Sequence, residues 1–397
     1  MIASRSMSLF LNLGHALDHL LMLIFPTVVL AMGEELGGGY AELLPLSLGG
    51  FIAFGAFSIP AGWLADRWSR FGMMVVFFFG IGAASILTGF ADGPAQIALG
   101  LTLIGVFAAI YHPVGIAMLV AGRENVGKVL GVNGVFGNVG VAFSALSAGA
   151  LADTVGWRAA FIVPGALAIA VGMAFALQVR EASGAISARK TEPYRISRSD
   201  LARVFAILAV ATACGGVIFN ATTISMPKVF DERLSSLTNS TFGIGALVCG
   251  VYLIAAMAQL CVGWWLDRRS LKSVFVPVVA LQVPLLMLAG TTENAAMLLV
   301  AVAMMFFVFG QIPINDAMIA RYTAEAWRAR AYAVRYVVSF SASALAVPLV
   351  AWVYKSSGDF RLLYFVLGAL AFATFSAALF FPAEDQKARR LASAATP

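Results

Sequence analysis

Long apolar stretches alternate with short polar ones along the whole chain. Twelve apolar segments of roughly 18–28 residues are each long enough to cross a bilayer as an α-helix. They span residues 8–32, 41–64, 72–91, 95–121, 128–152, 158–179, 201–228, 240–265, 273–290, 295–319, 330–354 and 361–381. Connections as short as residues 92–94 favour antiparallel neighbours. The pattern therefore predicts an all-α membrane protein with twelve transmembrane helices.

The composition supports a protein surrounded by lipid. Hydrophobic residues make up 61% of the chain and charged residues 12%, whereas ordinary soluble domains contain roughly 25% charged residues. The three cysteines form no CxxC pair, so we interpret them as small hydrophobic residues. Neither a P-loop nor a GxSxG motif occurs, so we expect no ATP-driven transport, no enzyme chemistry and no cofactor.

The Lys and Arg residues predict the orientation of the helices. If the helices alternate in direction, 20 of the 26 basic residues lie at one end of the bundle and five at the other. The positive-inside rule then places both termini in the cytoplasm. We expect the membrane to be a bacterial inner membrane. Because topology accounts for the net charge of +6, we do not expect nucleic acid as a partner.

The chain also contains an internal repeat. GWLADRWSR (62–70) recurs as GWWLDRRSL (263–271), and GWRAAF (156–161) has a counterpart in GDFRLLYF (358–365). We expect two six-helix bundles related as parallel repeats, at 1–180 and 201–397. The polar stretch 181–200 has the composition of a cytoplasmic linker, and a short tail follows the last helix.

The loop between the second and third segments resembles the signature of the major facilitator superfamily (MFS). Its residues are Gly62, Asp66, Arg67 and Arg70, with a degenerate second copy that includes Asp267 and Arg268. The resemblance implies a transporter that works by alternating access, in which this loop latches the cytoplasmic side shut. Gly62 would allow a close helix contact. The alternative is a charged turn with no further role.

Further motifs resemble the fosmidomycin-resistance-type drug exporters. They are His15-x-x-Asp18 with Pro26, Tyr111-His112-Pro113, and a glycine-rich fifth segment. The resemblance implies export of a small organic or drug-like molecule, anionic ones included, by proton antiport. Residues 143–145 lack the glycine-proline pair usual in antiporters, so import by proton symport stays open. A membrane metalloenzyme or a non-transporting receptor is a distant alternative.

Polar residues in apolar segments are the candidate coupling site. His15, Asp18 and His19 share one face of the first helix, and His112 lies in the fourth. Charged groups at mid-membrane normally face a cavity and have a partner. Histidine titrates near neutral pH, so these four residues form a candidate proton relay. Hydrogen bonds between helices and a zinc site are the alternatives.

The candidate substrate-binding residues lie mostly in the second half. They are Asn138, Asn220, Tyr252, Gln311, Asn315, Asp316 and Arg335. Three roles are open for Arg335: an ion pair with Asp316, contact with an anionic substrate group, or extension of its long side chain to the cytoplasmic surface. Asn220 and Gln311 would bind substrate or bond other helices. Glycines at 131, 134, 137 and 140 predict a close-packing surface. We expect a monomer in the bilayer, with protons and a small solute as partners.

Overall fold

A computed structural model describes residues 5–121, 126–179, 197–323 and 325–382. These residues are mostly helical. The first helices are α1 (Arg5–Leu23), α2 (Phe25–Leu36), α3 (Tyr40–Leu43), α4 (Leu48–Ala56), α5 (Ser58–Arg67), α6 (Arg70–Gly89), α7 (Pro94–Ala108), α8 (Ile116–Val120), α9 (Val126–Thr154) and α10 (Ala159–Gln178). The remaining helices are α11 (Arg198–Arg233), α12 (Thr241–Arg268), α13 (Leu271–Ala289), α14 (Asn294–Tyr322), α15 (Glu325–Ser357) and α16 (Arg361–Leu379).

The helix lengths agree with a polytopic membrane protein. Within the described ranges, ten helical spans are long and apolar enough to cross a bilayer, or eleven if the bent pair of α4 and α5 forms one span. Helix α15 covers the segment 330–354 that the sequence predicts as a further span. The fold is therefore all-α, and it is consistent with twelve crossings.

Three of the predicted spans are broken helices. The first is divided between α1 and α2, where Pro26 lies in the first turn of α2. The second bends by 41° between α4 and α5. The fourth is interrupted by a π-helical turn, Tyr111–Gly115, which contains Pro113. Proline has no backbone N–H and its ring clashes with the preceding turn, which explains the first and third breaks.

Contacts between helix ends agree with spans that alternate in direction along the chain. Lys272 Nζ donates to the Leu379 carbonyl, 2.7 Å away, at the start of α13 and the end of α16. Arg233 bonds the carbonyl of Ala289 at the other ends of α11 and α13. We call the end that holds Arg67, Arg268 and Lys272 the basic end, and the opposite end the distal end.

Helix contacts form within two groups along the chain and also between them. In residues 5–179, α1 packs on α9 and α6 on α10. In residues 197–382, α12 packs on α14 and α13 on α16. Helices α9 and α12 join the groups. Residues 181–196 of the predicted linker lie outside the described part of the chain, and 198–200 already belong to α11.

Candidate functional site

A cluster of three histidines and one aspartate lies in the first half, near the middle of its helices. Helix α1 presents His15, Asp18 and His19 on one face, and the π-helical turn brings His112 against them. The Nε2 atoms of His15 and His19 are 3.1 Å apart. The His112 ring packs edge-on against both, with centroid distances of 5.3 and 5.6 Å. The structure thus brings together all four predicted coupling residues.

Asp18 is the most buried member of the cluster. Its side chain has no exposed surface, and neither carboxylate oxygen accepts a hydrogen bond from a described residue. His112 Nε2 lies 3.6 Å from its Oδ2. An ionised group at mid-span costs roughly 2.5–3.5 kcal/mol on insertion scales unless it is compensated. A proton shared by Asp18 and His112 would remove this penalty.

A backbone carbonyl on α9 fixes the orientation of His15. The Nδ1 atom of His15 lies 2.8 Å from the Asn133 carbonyl oxygen, which can only accept, so Nδ1 carries the proton. In the neutral ring, Nε2 is then the acceptor that faces His19. A Cβ atom at Gly137 would lie 2.6 Å from the His15 ring. This glycine therefore makes room for the imidazole.

A hydrogen-bonded set of polar side chains surrounds His15. Asn133 Nδ2 donates to Asn12 Oδ1 at 2.9 Å and to the Tyr111 hydroxyl at 2.8 Å. Tyr111 donates in turn to the Leu11 carbonyl and stacks on His15. The sequence interpretation missed Asn12, Tyr111 and Asn133 as parts of the site. Asn12 carried a usable signal, since it precedes His15 by three residues on the same face.

The turn that carries His112 touches the signature loop's helix. A Cβ atom at Gly62 of α5 would lie 3.2 Å from Pro113 Cβ. Gly62 therefore lies directly against the residue after His112. Because α5 also carries Asp66 and Arg67, the cluster and the predicted latch share one packing contact.

The spacing of the histidine nitrogens bears on the zinc alternative. One nitrogen from each of His15, His19 and His112 lies within 4.8 Å of the others. Ligands of a tetrahedral zinc, at about 2.0–2.1 Å from the metal, are roughly 3.3 Å apart. The rings would have to move together to bind zinc, whereas His15 and His19 are already within hydrogen-bond distance for proton exchange, at 3.1 Å.

Two of the predicted substrate residues bond other helices. Gln311 Nε2 donates to the Ala211 carbonyl at 3.0 Å, and its Oε1 accepts from Gln282 at 2.9 Å. The buried Tyr252 hydroxyl donates to the Thr223 carbonyl at 3.2 Å. These contacts match the helix-bonding alternative for Gln311. Gln282, which the sequence interpretation missed, is its partner.

The other candidates differ in how their polar atoms are used. Asn220 Nδ2 donates to the Gly216 carbonyl of its own helix. Arg335 pairs with Asp316, so the ion-pair alternative describes it in this structure. Asn138 and Asn315 are each 6% exposed, and Asn138 Nδ2 and Asn315 Oδ1 have no hydrogen-bond partner among the described residues. These two amides keep hydrogen-bonding capacity for a ligand or water.

The signature loop and its repeat form exposed structures at the basic end. Asp66 Oδ1 accepts from Arg70 at 2.8 Å, and both side chains are exposed. The Arg67 guanidinium lies 4.1 Å from the centre of the Trp63 ring. In the repeat, Arg268 lies 4.0 Å from the Trp264 ring, and Asp267 is exposed. Asp66 thus pairs within its own loop here.

Several contacts join the two halves of the chain near the distal end. The Tyr40 hydroxyl donates to the Ile224 carbonyl at 3.3 Å, and its ring packs against Tyr354. Asp153 Oδ2 accepts from the Phe242 N–H at 2.7 Å, at the N-terminus of α12. A Cβ atom at Gly245 would lie 2.2 Å from the Ala145 carbonyl oxygen. The two backbones are therefore in direct contact here.

Most of the chain matches the profile of a known protein family. The profile of the Major Facilitator Superfamily matches residues 11–310 and 235–396. The chain belongs to the Major Facilitator Superfamily. Membership makes it a transporter rather than an enzyme, as the signature loop predicts.

Curated relatives of this facilitator are named for drug resistance and transport. The puromycin resistance protein of Streptomyces alboniger is 34% identical over 110 residues, which are 27% of this chain and 22% of that protein. A probable actinorhodin transporter of Streptomyces coelicolor is 28% identical over 150 residues, 36% of this chain and 26% of that one. The chain thus aligns with about a quarter of each relative's length.

Solved structures match the facilitator over nearly its full length. A bacterial homolog of the human lysosomal transporter Spinster matches in its inward-facing, unoccupied conformation, with a TM-score of 0.70 and 14% identity. That match covers 94% of each chain. The occupied, inward-facing form of that homolog gives 0.72 and 15% identity, over 94% of this chain and 93% of the other. At these identities the likeness shows the fold.

A carboxylate clamp at the distal end of the facilitator was not predicted. Glu35 accepts from Trp157 Nε1 and from the Arg158 guanidinium, both at 2.6 Å. Arg158 also donates to the Ala91 carbonyl at 3.3 Å. The clamp ties the end of α2 to the turn before α10, so the GWRAAF motif has a structural role.

Glu35→Gln should remove a pH-dependent part of the stability. The Trp157 and Arg158 hydrogen bonds lower the pKa of Glu35 below its ordinary value of 4.5. A carboxyl group with a lowered pKa stabilises the fold above its ordinary pKa, and this contribution disappears as the pH falls through the lowered value. In detergent, the variant should melt below the wild type at pH 7, and the difference should shrink below about pH 4.5.

Glu293→Gln is the matched control, because Glu293 is exposed and its side chain caps no helix. It should melt like the wild type at both pH values. A Glu35→Gln deficit that stays constant down to acid pH would show that the clamp acts without its charge.

Proposed function

We propose that this facilitator is a proton-coupled exporter of small organic, drug-like molecules, and that it works by alternating access and proton antiport. The buried Asp18–His112 pair is the observation that carries the proposal. It provides a mid-span site that is stable with a proton and unfavourable without one. His15 connects this site to His19, whose side chain is half-buried.

The proton has a short route through the cluster. His19 is the least buried of the three histidines, and its Nε2 contacts His15 Nε2. His112 packs against both imidazoles and lies beside Asp18. A proton that enters at His19 therefore reaches Asp18 by exchange between neighbouring rings, with small ring rotations between the steps.

Proton transfer is coupled to conformation through the π-helical turn. A change of charge on His112 alters its electrostatic interaction with Asp18 and therefore the preferred position of the turn. Pro113 of that turn packs against Gly62 of α5. Helix α5 already bends by 41° relative to α4 and carries the signature loop. A movement of the π-helical turn at the proton site is therefore transmitted through α5 to the latch at the basic end.

Substrate recognition uses the amides that have unused hydrogen-bonding capacity. Asn138 and Asn315 come from the two halves of the chain, so a ligand that bonds both is sensitive to their relative movement. The Asp316–Arg335 pair adds a charged site for polar substrate groups. The relatives are named for puromycin resistance and for actinorhodin transport. These two compounds are therefore the first substrates to test.

We place the protein in the inner membrane of a bacterium, as a monomer with both termini in the cytoplasm. The basic end then faces the cytoplasm, as the distribution of Lys and Arg requires. Because the halves contact each other near the distal end, we assign this structure to a state that opens toward the cytoplasm. An exporter collects its substrate in this state.

Substrate-driven proton movement tests the proposal. The protein is reconstituted in vesicles with its basic end outside and an internal pH dye, and puromycin is added outside. Antiport predicts that the interior becomes alkaline, because protons leave as puromycin enters. Chelator treatment should not change the signal, whereas a zinc-dependent protein would lose it. If the pH inside the vesicles does not change when either puromycin or actinorhodin is added, proton antiport of these two compounds is contradicted.

Proton-coupled import is the second candidate. Residues 143–145, Phe-Ser-Ala, lack the glycine-proline pair usual in the fifth helix of antiporters. Symport uses the same Asp18–His112 site but carries protons and solute in one direction. In the same vesicles, symport predicts that the interior becomes acidic on addition of puromycin.

Asp66→Ala should shift the protein further toward opening at the basic end. Asp66 is 66% exposed, so its pair with Arg70 contributes little to stability, below about 1 kcal/mol. The latch role instead requires Asp66 in the state that closes the basic end. Spin labels at the exposed positions Trp68 and Arg269 report the distance between the halves there.

In the variant, the population with the longer distance between the labels at Trp68 and Arg269 should increase at least threefold. The melting temperature should not change. Asp92→Asn, at the distal end, is the control and should give the wild-type distances. An unchanged distance distribution in Asp66→Ala would mean that Asp66 is only part of a charged turn.

A further inference from the structure

A shallow apolar notch lies on the exposed face of α12 near the basic end. Leu260, Cys261, Trp264 and Trp265 line it, and its volume is about 320 Å³. The side chains of the two tryptophans are 53% and 44% exposed. The small Cys261 side chain between larger neighbours creates the depression. Because α12 is long and apolar enough to cross a bilayer, we expect this exposed notch to face lipid, and it has room for part of an acyl chain.

A basic residue lies directly below this notch. Each residue turns a helix by about 100°, so Arg268 projects within about 10° of the centre of the notch face. Asp267 projects about 90° away from that centre. Arg269 directly follows α12, and Lys272 lies in the first turn of α13. The notch therefore ends at a site of positive charge.

The geometry of Arg268 suits a phosphate group. Its guanidinium lies 4.0 Å from the centre of the Trp264 ring, and one N–H donates to the Trp264 carbonyl at 3.1 Å. Stacking uses the flat face of the guanidinium and holds it in place. The N–H groups along its edge form a planar fork, which is the geometry that binds phosphate oxygens in pairs.

We propose that this notch and Arg268 together bind one anionic phospholipid from the leaflet at the basic end. Leu260 and Arg268 are eight residues apart, or about 12 Å along the helix axis. One lipid can therefore place its acyl chain between the tryptophans and its phosphate on Arg268. A zwitterionic headgroup would bring an ammonium group to a basic surface, so the site favours a lipid with net negative charge.

This inference is independent of proton coupling and of the transported substrate. The first half contains a similar Trp63–Arg67 pair at α5, with a ring distance of 4.1 Å. That pair has the same spacing as Trp264–Arg268, so it provides a matched control in the same protein. A change at Arg67 should leave the α12 notch intact.

Quenching of tryptophan fluorescence by brominated lipids tests the site. The whole protein is reconstituted in nanodiscs with acyl-brominated phosphatidylglycerol or phosphatidylcholine in unbrominated phosphatidylcholine. The part of the signal due to Trp264 and Trp265 is obtained by subtracting a Trp264→Phe/Trp265→Phe protein. Half-maximal quenching should need about fivefold less phosphatidylglycerol than phosphatidylcholine, the preference expected for one basic residue at a membrane surface.

Arg268→Gln should abolish the preference, Arg268→Lys should keep part of it, and Arg67→Gln should leave it unchanged. Native mass spectrometry of the wild type should also show retained phosphatidylglycerol, which tests the site even if a variant folds poorly. Equal quenching by the two lipids in the wild type would overturn the proposal. So would weak quenching by both lipids in a dimeric protein, since a second copy would then cover the notch.

Discussion

Asp18→Asn should abolish pH-driven transport, with a loss of at least a hundredfold, while puromycin binding stays within about threefold of the wild type. Asparagine keeps the size of the side chain and cannot exchange a proton. Asp18 is fully buried and His112 is the titratable group beside it, so the change removes the proton carrier without a large packing defect. Counterflow exchange of labelled puromycin, which needs no net proton movement, should persist.

Asp92→Asn is the matched control, because Asp92 is an exposed carboxylate at the distal end. It should transport like the wild type. A His112→Asn variant and the double variant complete a cycle. If Asp18 and His112 share one proton, the double variant should be little worse than the poorer single variant. Fully additive losses, or normal pH-driven transport by Asp18→Asn, would contradict the assignment.

Gly245→Ala should prevent the distal end from closing and reduce transport at least tenfold. The new methyl group would lie 2.2 Å from the Ala145 carbonyl oxygen, which belongs to the backbone of α9 and cannot rotate away. The halves must therefore separate at this point. Spin labels at the exposed positions Val155 and Leu237 measure that separation across the distal end.

The expected result is a longer main distance between the two labels in Gly245→Ala. Gly250→Ala is the matched control on the same helix, because a Cβ atom there meets nothing within 4 Å. It should keep the wild-type distances and transport rate. Identical distances in the two variants would show that the α9–α12 contact does not set the distal closure.

Features that depend on the residues of a single helix could be predicted from the sequence. The spacing of His15, Asp18 and His19 predicts a shared face, because helical periodicity is local. Hydropathy predicts the spans for the same reason. The approach of His112 to Asp18 needed the fold implied by the family resemblance, since the two residues lie 94 positions apart.

Features that depend on the register between helices were not predictable from one sequence. The Asn133 carbonyl that orients His15, and the Gly137 position that admits its ring, require the relative height of α1 and α9. Glu35 and Trp157 meet across 122 residues of chain. The hydrogen bond between Gln311 and Gln282 depends on the relative height of α13 and α14. The glycine stripe predicted close packing but not its partners.

Proton release on substrate binding tests the central claim most directly. Detergent-solubilised protein in a weakly buffered solution with a pH dye is titrated with puromycin, and binding is measured in parallel by calorimetry. Antiport through the Asp18–His112 pair predicts that the wild type and Asp92→Asn release protons as puromycin binds. Asp18→Asn should bind puromycin and release none. Puromycin binding to the wild type without proton release would contradict the account.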